Sequence, residues 1–332
     1  MTAADLLRLA GLAACWGLAF VFIRVAVPAL GVFPLVEMRA LIACGILLAC
    51  AKLSGITLDP SRYWRHYLAM GAIGSAAPFT MIALAQTAQS ASYGVILTST
   101  APLFSALVAA LWIGEPFTLR KGAGLTLGLA GVVLLVGWNP ASTSAPPLWA
   151  IALTLGASAF YGISGVYAKR HAADIAPIAA AAGSQACAAL LLLPMALASL
   201  PAAPPVALVW VNVIALGVFS SALAFILYFS LVASIGPVKT VSVNYLTPLF
   251  GVGGGVVLLD ESVTLNMLAG AAVIFGGMAL VFGGGGDKGG DKGGDKGGDK
   301  GGNKGGDKGG DKGGDKGGDK GGNKAGTRGG AE

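Results

Sequence analysis

The chain has 332 residues, of which 55% are hydrophobic and only 11% charged, with a mean hydropathy of +0.74. A soluble domain carries about 25% charged residues, so this composition excludes an ordinary soluble protein and predicts an integral membrane one. Of the net charge of +6, residues 283–332 hold +2 (11 basic, 9 acidic) and the other 282 residues +4 (11 basic, 7 acidic), with no compact basic face and interleaved aromatics to suggest nucleic acid.

A helix rising about 1.5 Å per residue needs about 20 apolar residues to cross a hydrocarbon core of roughly 30 Å. Ten such runs follow one another, at residues 6–27, 34–53, 67–86, 92–113, 119–137, 148–167, 175–197, 206–232, 238–259 and 265–282. The first has the length of a span rather than the shorter core of a cleaved signal peptide. Basic residues fall in alternate connections: Arg8; Lys52, Arg62 and Arg65; Arg120 and Lys121; Lys169 and Arg170; Lys239; and the Lys-rich tail. Short cytoplasmic loops are enriched in Lys and Arg, so both termini are expected in the cytoplasm.

Few polar groups interrupt the runs, and each must face protein, water or the interface because burial in lipid is costly. In the first span Trp16 is a candidate wall of a substrate pathway, and Arg24 ends it. Glu37 and Arg39 open the second, about 200° apart around a helix, so one cavity cannot receive both. The Arg39 guanidinium is able to hold a substrate carboxylate, which makes it a pathway candidate; an equal reading has Arg24 and Arg39 snorkel outward with Glu37 as partner. If protons drive the cycle, Glu37 is the one acid expected within a span. Thr80, Thr98, Ser99, Tyr161, Ser164, Gln185, Tyr228, Asn244 and Tyr245 complete the pathway candidates, as hydrogen-bonding or aromatic groups near span centres. A Ser or Thr there can instead bond its own helix. Pro102 and Pro248 are expected to kink their helices.

The remaining inventory argues against catalysis. Cys15, Cys44, Cys50 and Cys187 all lie in apolar runs without a Cys-x-x-Cys pair, and the only histidines are His66 and His171 in charged loops. Neither a metal site nor a nucleophilic triad is supported, so no metal, no cofactor and no enzymatic activity are expected. Residues 283–324 repeat Gly-Gly-Asp-Lys, with Asn303 and Asn323 in place of Asp. Nothing in that tract can offset the entropy of ordering, so a disordered tail is expected.

Sliding the chain against itself by 146 residues pairs residues 102–137 with 248–283, with identity at 11 of 36 positions. Pro102 meets Pro248, Glu115 meets Glu261, Thr118 meets Thr264, Gly124 meets Gly270 and Gly131 meets Gly277. Upstream, Gly71, Ser75, Ala76 and Phe79 face Gly217, Ser221, Ala222 and Phe225; one residue less of offset sets Trp16-Gly17 against Tyr161-Gly162. Two halves, 1–140 and 141–282, therefore hold five spans each. An odd number inverts the second in the membrane, a plan that recurs in secondary transporters. The expected fold is all-α and integral to the membrane, with ten transmembrane helices as two inverted five-helix repeats. Gly124, Gly131, Gly270 and Gly277 are expected at close helix contacts within or between subunits, which leaves a homodimer open.

Trp16-Gly17, the stretch from Pro34 to Arg39, Pro-Leu-Phe with Glu thirteen residues after the Pro in both halves, and the Gly-spaced fifth and tenth spans together resemble the drug/metabolite transporter superfamily, specifically its EamA-type bacterial members. The resemblance covers residues 5–282. It implies a ten-helix inner-membrane carrier that exports amino acids or related small metabolites, with a small-molecule substrate and the bilayer as partners. Nucleotide-sugar or drug carriage within the superfamily is the alternative, and an intramembrane enzyme is the reading from another class. No Walker A pattern is present, so a gradient or exchange is expected to supply the energy.

Overall fold

The computed structural model describes residues 2–136 and 146–282. The boundary expected at 140 and 141 and the tail from 283 lie outside the described residues. Among those residues the chain is helical, with no strand. In lipid each backbone N–H and C=O must be satisfied within its own segment, and a helix does this.

α1 (Ala3–Leu30) begins at a capping box, in which Thr2 and Asp5 each accept from the other's backbone amide. It stops at Gly31, whose φ of 81° suits glycine alone, and α2 (Val32–Leu53) follows at once. The next stretch is composite: α3 (Pro60–Gly71), a π-helical turn (Ala72–Ala76) and α4 (Ala77–Ala85). α5 (Ala91–Thr98), capped by the Ser90 side chain, is separated by a break at residues 99–100 from α6 (Ala101–Ile113). α7 (Leu119–Val136), α8 (Leu148–His171) and α9 (Pro177–Ala198) are continuous.

The composite pattern then returns. α10 (Ala207–Gly217), a π-helical turn (Val218–Leu223) and α11 (Ala224–Ile235) match the stretch from α3 to α4, with the second π turn 146 residues after the first. α12 (Pro237–Thr240) and α13 (Val243–Leu259) form a second broken pair, and α14 (Leu265–Phe282) follows. Among the described residues seven stretches are long and apolar enough to cross a membrane: Ala3–Leu30, Val32–Leu53, Pro60–Ala85, Ala91–Ile113, Leu148–His171, Pro177–Ala198 and Ala207–Ile235. α13 and α14 are shorter apolar helices. Leu7, Leu111, Leu190 and Val257 lie largely exposed on the exterior, as an apolar environment requires.

The proline expectation needs one correction. Pro102 does not kink a helix: it stands in the first turn of α6, where its missing N–H has no intrahelical partner to lose. Pro248 does lie inside its helix, α13.

The helices pack mainly as the pairs α7 with α14, α2 with α9, α1 with α13 and α6 with α8. Three of the pairs rest on glycine contacts. A β-carbon added at Gly124 would meet Gly277 O at 2.6 Å, and one at Gly131 would meet Ile274 N at 2.7 Å, so α7 and α14 touch backbone to backbone. Gly270 and Gly277 face the same seam against Leu135 and Gly124. Gly17 of α1 lies as close to Thr247 O of α13, and Gly162 of α8 to Ser105 N of α6. The halves are also joined by side chains: the Ser234 hydroxyl donates to Asp5 at 2.7 Å, and Glu261 accepts from the amides of Ala91 and Ser92 at 2.7 and 2.9 Å and from the Ser92 hydroxyl at 2.6 Å.

Candidate functional site

Between the helices lies a chamber of about 430 Å³, within the range of about 300–1,000 Å³ usual for small-ligand sites. Its wall is built where helices lose regularity. The α5–α6 break supplies Thr98, Ser99 and Pro102; the α12–α13 break supplies Thr240, Val241 and Asn244; and the two π turns supply Gly74 and Ser220. Broken helices recur at transporter binding sites because they bring free backbone polar groups to a protein-lined cavity, where irregular backbone is tolerated. The turns are sequence-dictated at least in part. Small residues in Ala-Ile-Gly-Ser-Ala and in Phe-Ser-Ser-Ala leave room for the wider coil, and π turns are frequent at functional sites.

The aromatic and polar candidates divide cleanly. Trp16, Arg39, Thr98, Ser99, Tyr161, Ser164, Tyr228 and Asn244 lie on the chamber wall, with Phe79 and Phe225 among them. Trp16 and Tyr228 lean together, ring centroids 5.9 Å apart. Thr80, Gln185 and Tyr245 do not lie on that wall. Thr80 and Tyr245 each follow a wall residue by one position, which turns a helical side chain about 100° away. Tyr245 packs on Phe275 at 6.0 Å, and the Thr80 hydroxyl is buried with no partner among the described residues. Gln185 is buried in the seam of α9 and donates to the Ser75 hydroxyl at 3.1 Å.

Several wall donors are already engaged. Thr98 donates to Gly94 O at 2.7 Å, Ser99 to Val95 O at 3.0 Å and Asn244 to Val241 O at 3.1 Å. Such back-bonding to a helix's own carbonyls was the competing expectation for Ser and Thr. It leaves their oxygens uncharged and with acceptor capacity. Ser220 differs: its hydroxyl is buried and has no hydrogen-bond partner among the described residues.

Arg39 is 7% exposed and is not snorkelling. Its Nε donates to the Ser221 hydroxyl at 2.8 Å, and its guanidinium carbon lies 3.6 Å from the centre of the Phe79 ring, a stacked geometry that Arg adopts readily. Among the described residues no carboxylate pairs with it; the ion pairs found are Arg8 with Asp5, Arg62 with Asp174, and Lys121 and Lys169 with Glu115. The Glu37 partnership of the competing reading is therefore not formed among the described residues. Glu37 is buried off the chamber, with Oε2 unpartnered. Placing an ion in a bilayer-spanning segment costs about 2.5–3.5 kcal/mol or more, so both residues are held at a cost to stability.

The 146-residue offset relates Arg39 to Gln185 and Ser75 to Ser221. Each long side chain thus reaches the serine of the other half's π turn, by one rule applied twice: Arg39 to Ser221 and Gln185 to Ser75. Neither the breaks, the π turns nor Ser220 stood out in the sequence, although the Gly71, Ser75, Ala76 and Phe79 correspondence marked the place. Among the described residues no group of His, Cys, Asp and Glu could hold a metal.

A family described as the EamA-like transporter family matches residues 5–137 and again 148–283. "Uncharacterized inner membrane transporter YedA" of Escherichia coli (strain K12) is 25% identical over 81% of this chain and 87% of its own length. "Probable terminal-alkyne amino-acid exporter" of Streptantibioticus cattleyicolor is 27% identical over 80% of this chain and 89% of its own. "Uncharacterized transporter YvbV" of Bacillus subtilis (strain 168) is 27% identical over 54% of this chain, a match spanning 59% of that protein. A crystal structure 21% identical in sequence superposes with a TM-score of 0.61 over 84% of this chain and 96% of the other, which bears on fold alone.

Proposed function

The chain belongs to the EamA-like transporter family, and from that premise we propose that it is a secondary carrier that exports amino acids or related small metabolites by alternating access. The observation that carries the reading is the chamber, walled by a helix break and a π turn from each half. A carrier needs one site reachable from either side in turn, and a wall drawn equally from two repeats can be uncovered by rocking one against the other. The exporter relative, named for an amino acid, supports the substrate class.

In this proposal ten helices cross the membrane, with 237–259 counted as one interrupted span, and the two five-helix repeats insert in opposite senses. Membership of a membrane-transporter family and an inner-membrane relative support that location. Both termini are taken as cytoplasmic from the distribution of Arg and Lys. The turn between α4 and α5 is then external and the turn between α11 and α12 internal. At the first, Gln86, Gln89, Ala91 and Ser92 are buried and Thr87 is exposed; at the second, Ser234 and Lys239 are exposed and Thr240 is buried. That contrast favours a conformation sealed toward the outside and less closed toward the cytoplasm.

A nucleotide-sugar carrier is disfavoured, because a diphosphate calls for several cations and the chamber wall holds Arg39 alone among the described residues. Catalysis is disfavoured by the transporter family. If protons drive the cycle, Glu37 is the acid positioned for it. Counterflow by the full chain in vesicles, with a panel of amino acids, amines, sugars and cationic drugs, tests the reading. Saturable exchange of one class is expected, and no exchange of any class by folded protein would sink it.

A further inference from the structure

The chamber carries one fixed charge. Among the described residues Arg39 is the only ionisable Arg, Lys, His, Asp or Glu on its wall. Among the described residues no carboxylate pairs with it, and Glu37, two positions before it in α2, is not on the wall. Its guanidinium is nevertheless held firmly, by Ser221 on Nε and by the Phe79 ring on its face. Of the two edges on which a guanidinium grips a carboxylate, engaging Nε leaves the one formed by the terminal nitrogens. These make no hydrogen bond among the described residues. That edge matches the two oxygens of a carboxylate.

The rest of the lining is aromatic or neutral: Trp16, Tyr161, Tyr228 and Phe225 as walls, with the oxygens of Thr98, Ser99 and Asn244 as uncharged acceptors. A zwitterion adds both signs and leaves the chamber at net +1. A monoanion brings it to zero and pairs the one charge on the wall that has no carboxylate partner among the described residues. Resting on the carrier reading above, we propose that the transported species is an organic monocarboxylate with an aromatic or apolar body, recognised through Arg39, and that an ammonium group on it is dispensable.

Three compounds that share a phenyl body separate the possibilities: phenylpropionate (anion), phenylalanine (zwitterion) and phenethylamine (cation). Counterflow of each is measured with the full chain in vesicles. Phenylpropionate is expected to exchange saturably, at least as efficiently as phenylalanine and about tenfold or more above phenethylamine. Arg39→Gln is expected to erase the preference for the anion. Arg39→Lys keeps the charge without the fork and is expected to raise KM for phenylpropionate with a smaller change in maximal rate, and a thermal melt shows whether each variant is folded. Should either variant fail to fold, the ranking in the unaltered protein still decides. Exchange of phenylalanine without phenylpropionate would overturn the proposal, as would phenethylamine matching phenylpropionate. Exchange of sugars or cationic drugs alone overturns it while leaving a carrier; exchange of nothing by folded protein removes the carrier reading as well.

Discussion

Arg39 and Gln185 show how much a single residue decides within a duplicated plan. Both sit at one repeat position and both bond a π-turn serine, yet the arginine reaches the chamber and the glutamine stays in the α9 seam. Residue type was legible in the sequence, since a guanidinium in an apolar run has few bland explanations. Direction was not: the one-position steps that put Asn244 on the wall and Tyr245 off it depend on helix phase, which apolar runs on all faces do not reveal. Outside the membrane-spanning stretches, Glu115 is the residue whose titration can be followed. The hydrogen bond from Lys169 at 2.8 Å, with further help from Lys121 against some burial, holds its carboxyl below the ordinary value of 4.5. A depressed acid stabilises the fold above its ordinary pKa and loses that contribution as pH falls through the lowered value. Thermal melts of wild type and Glu115→Gln should therefore differ at neutral pH and converge at pH below 4.5. Because Glu115 is partly exposed, the gap should be small. A gap that persists unchanged in acid would mean the carboxylate is not its source.

At the scale of elements, length made the apolar stretches readable and chemistry hid their interruptions. About twenty apolar residues mark a crossing whether or not the helix is continuous, so residues 92–113 read as one run although the chain breaks at 99–100. Pro102 drew attention to the right region for the wrong reason, starting a helix instead of bending one. The glycine seams were legible as spacing, and their partners were not. Gly17 and Gly45 make the difference measurable. A β-carbon at Gly17 would lie 2.5 Å from Thr247 O and 2.7 Å from Gly251 N, backbone atoms of α13 that cannot move aside alone, whereas one at Gly45 meets nothing within 4 Å. Gly17→Ala is expected to cost about 1–3 kcal/mol by forcing α1 and α13 apart. Gly45→Ala should be neutral or gain up to about 1 kcal/mol from helix propensity. Melting temperatures in detergent check both, and equal effects would mean the α1–α13 seam is looser than described.

For the whole molecule, the long-range links are the informative feature. Glu261 closes the start of α5 from 170 residues away, and a carboxylate against first-turn amides also suits the helix dipole. Glu261→Ala should leave the Ala91 and Ser92 amides without that partner, at a cost of about 1–3 kcal/mol. In the carrier reading it should also open the sealed end. Labelling of a cysteine introduced at Gln89 by a membrane-impermeant reagent should then rise; unchanged labelling would show that the seal lies elsewhere. The same link bears on how the chain is made. Asp5 bonds Ser234, Arg39 bonds Ser221 and the start of α5 bonds Glu261, so three early segments lack one of their partners until late ones have left the ribosome. The first half must therefore wait in the bilayer with exposed polar groups, where it is open to the proteases that survey unassembled membrane segments. A ribosome that stalls between residues 136 and 221 would leave a fragment with none of the three links, while two halves translated separately in one cell could still find each other through the same bonds.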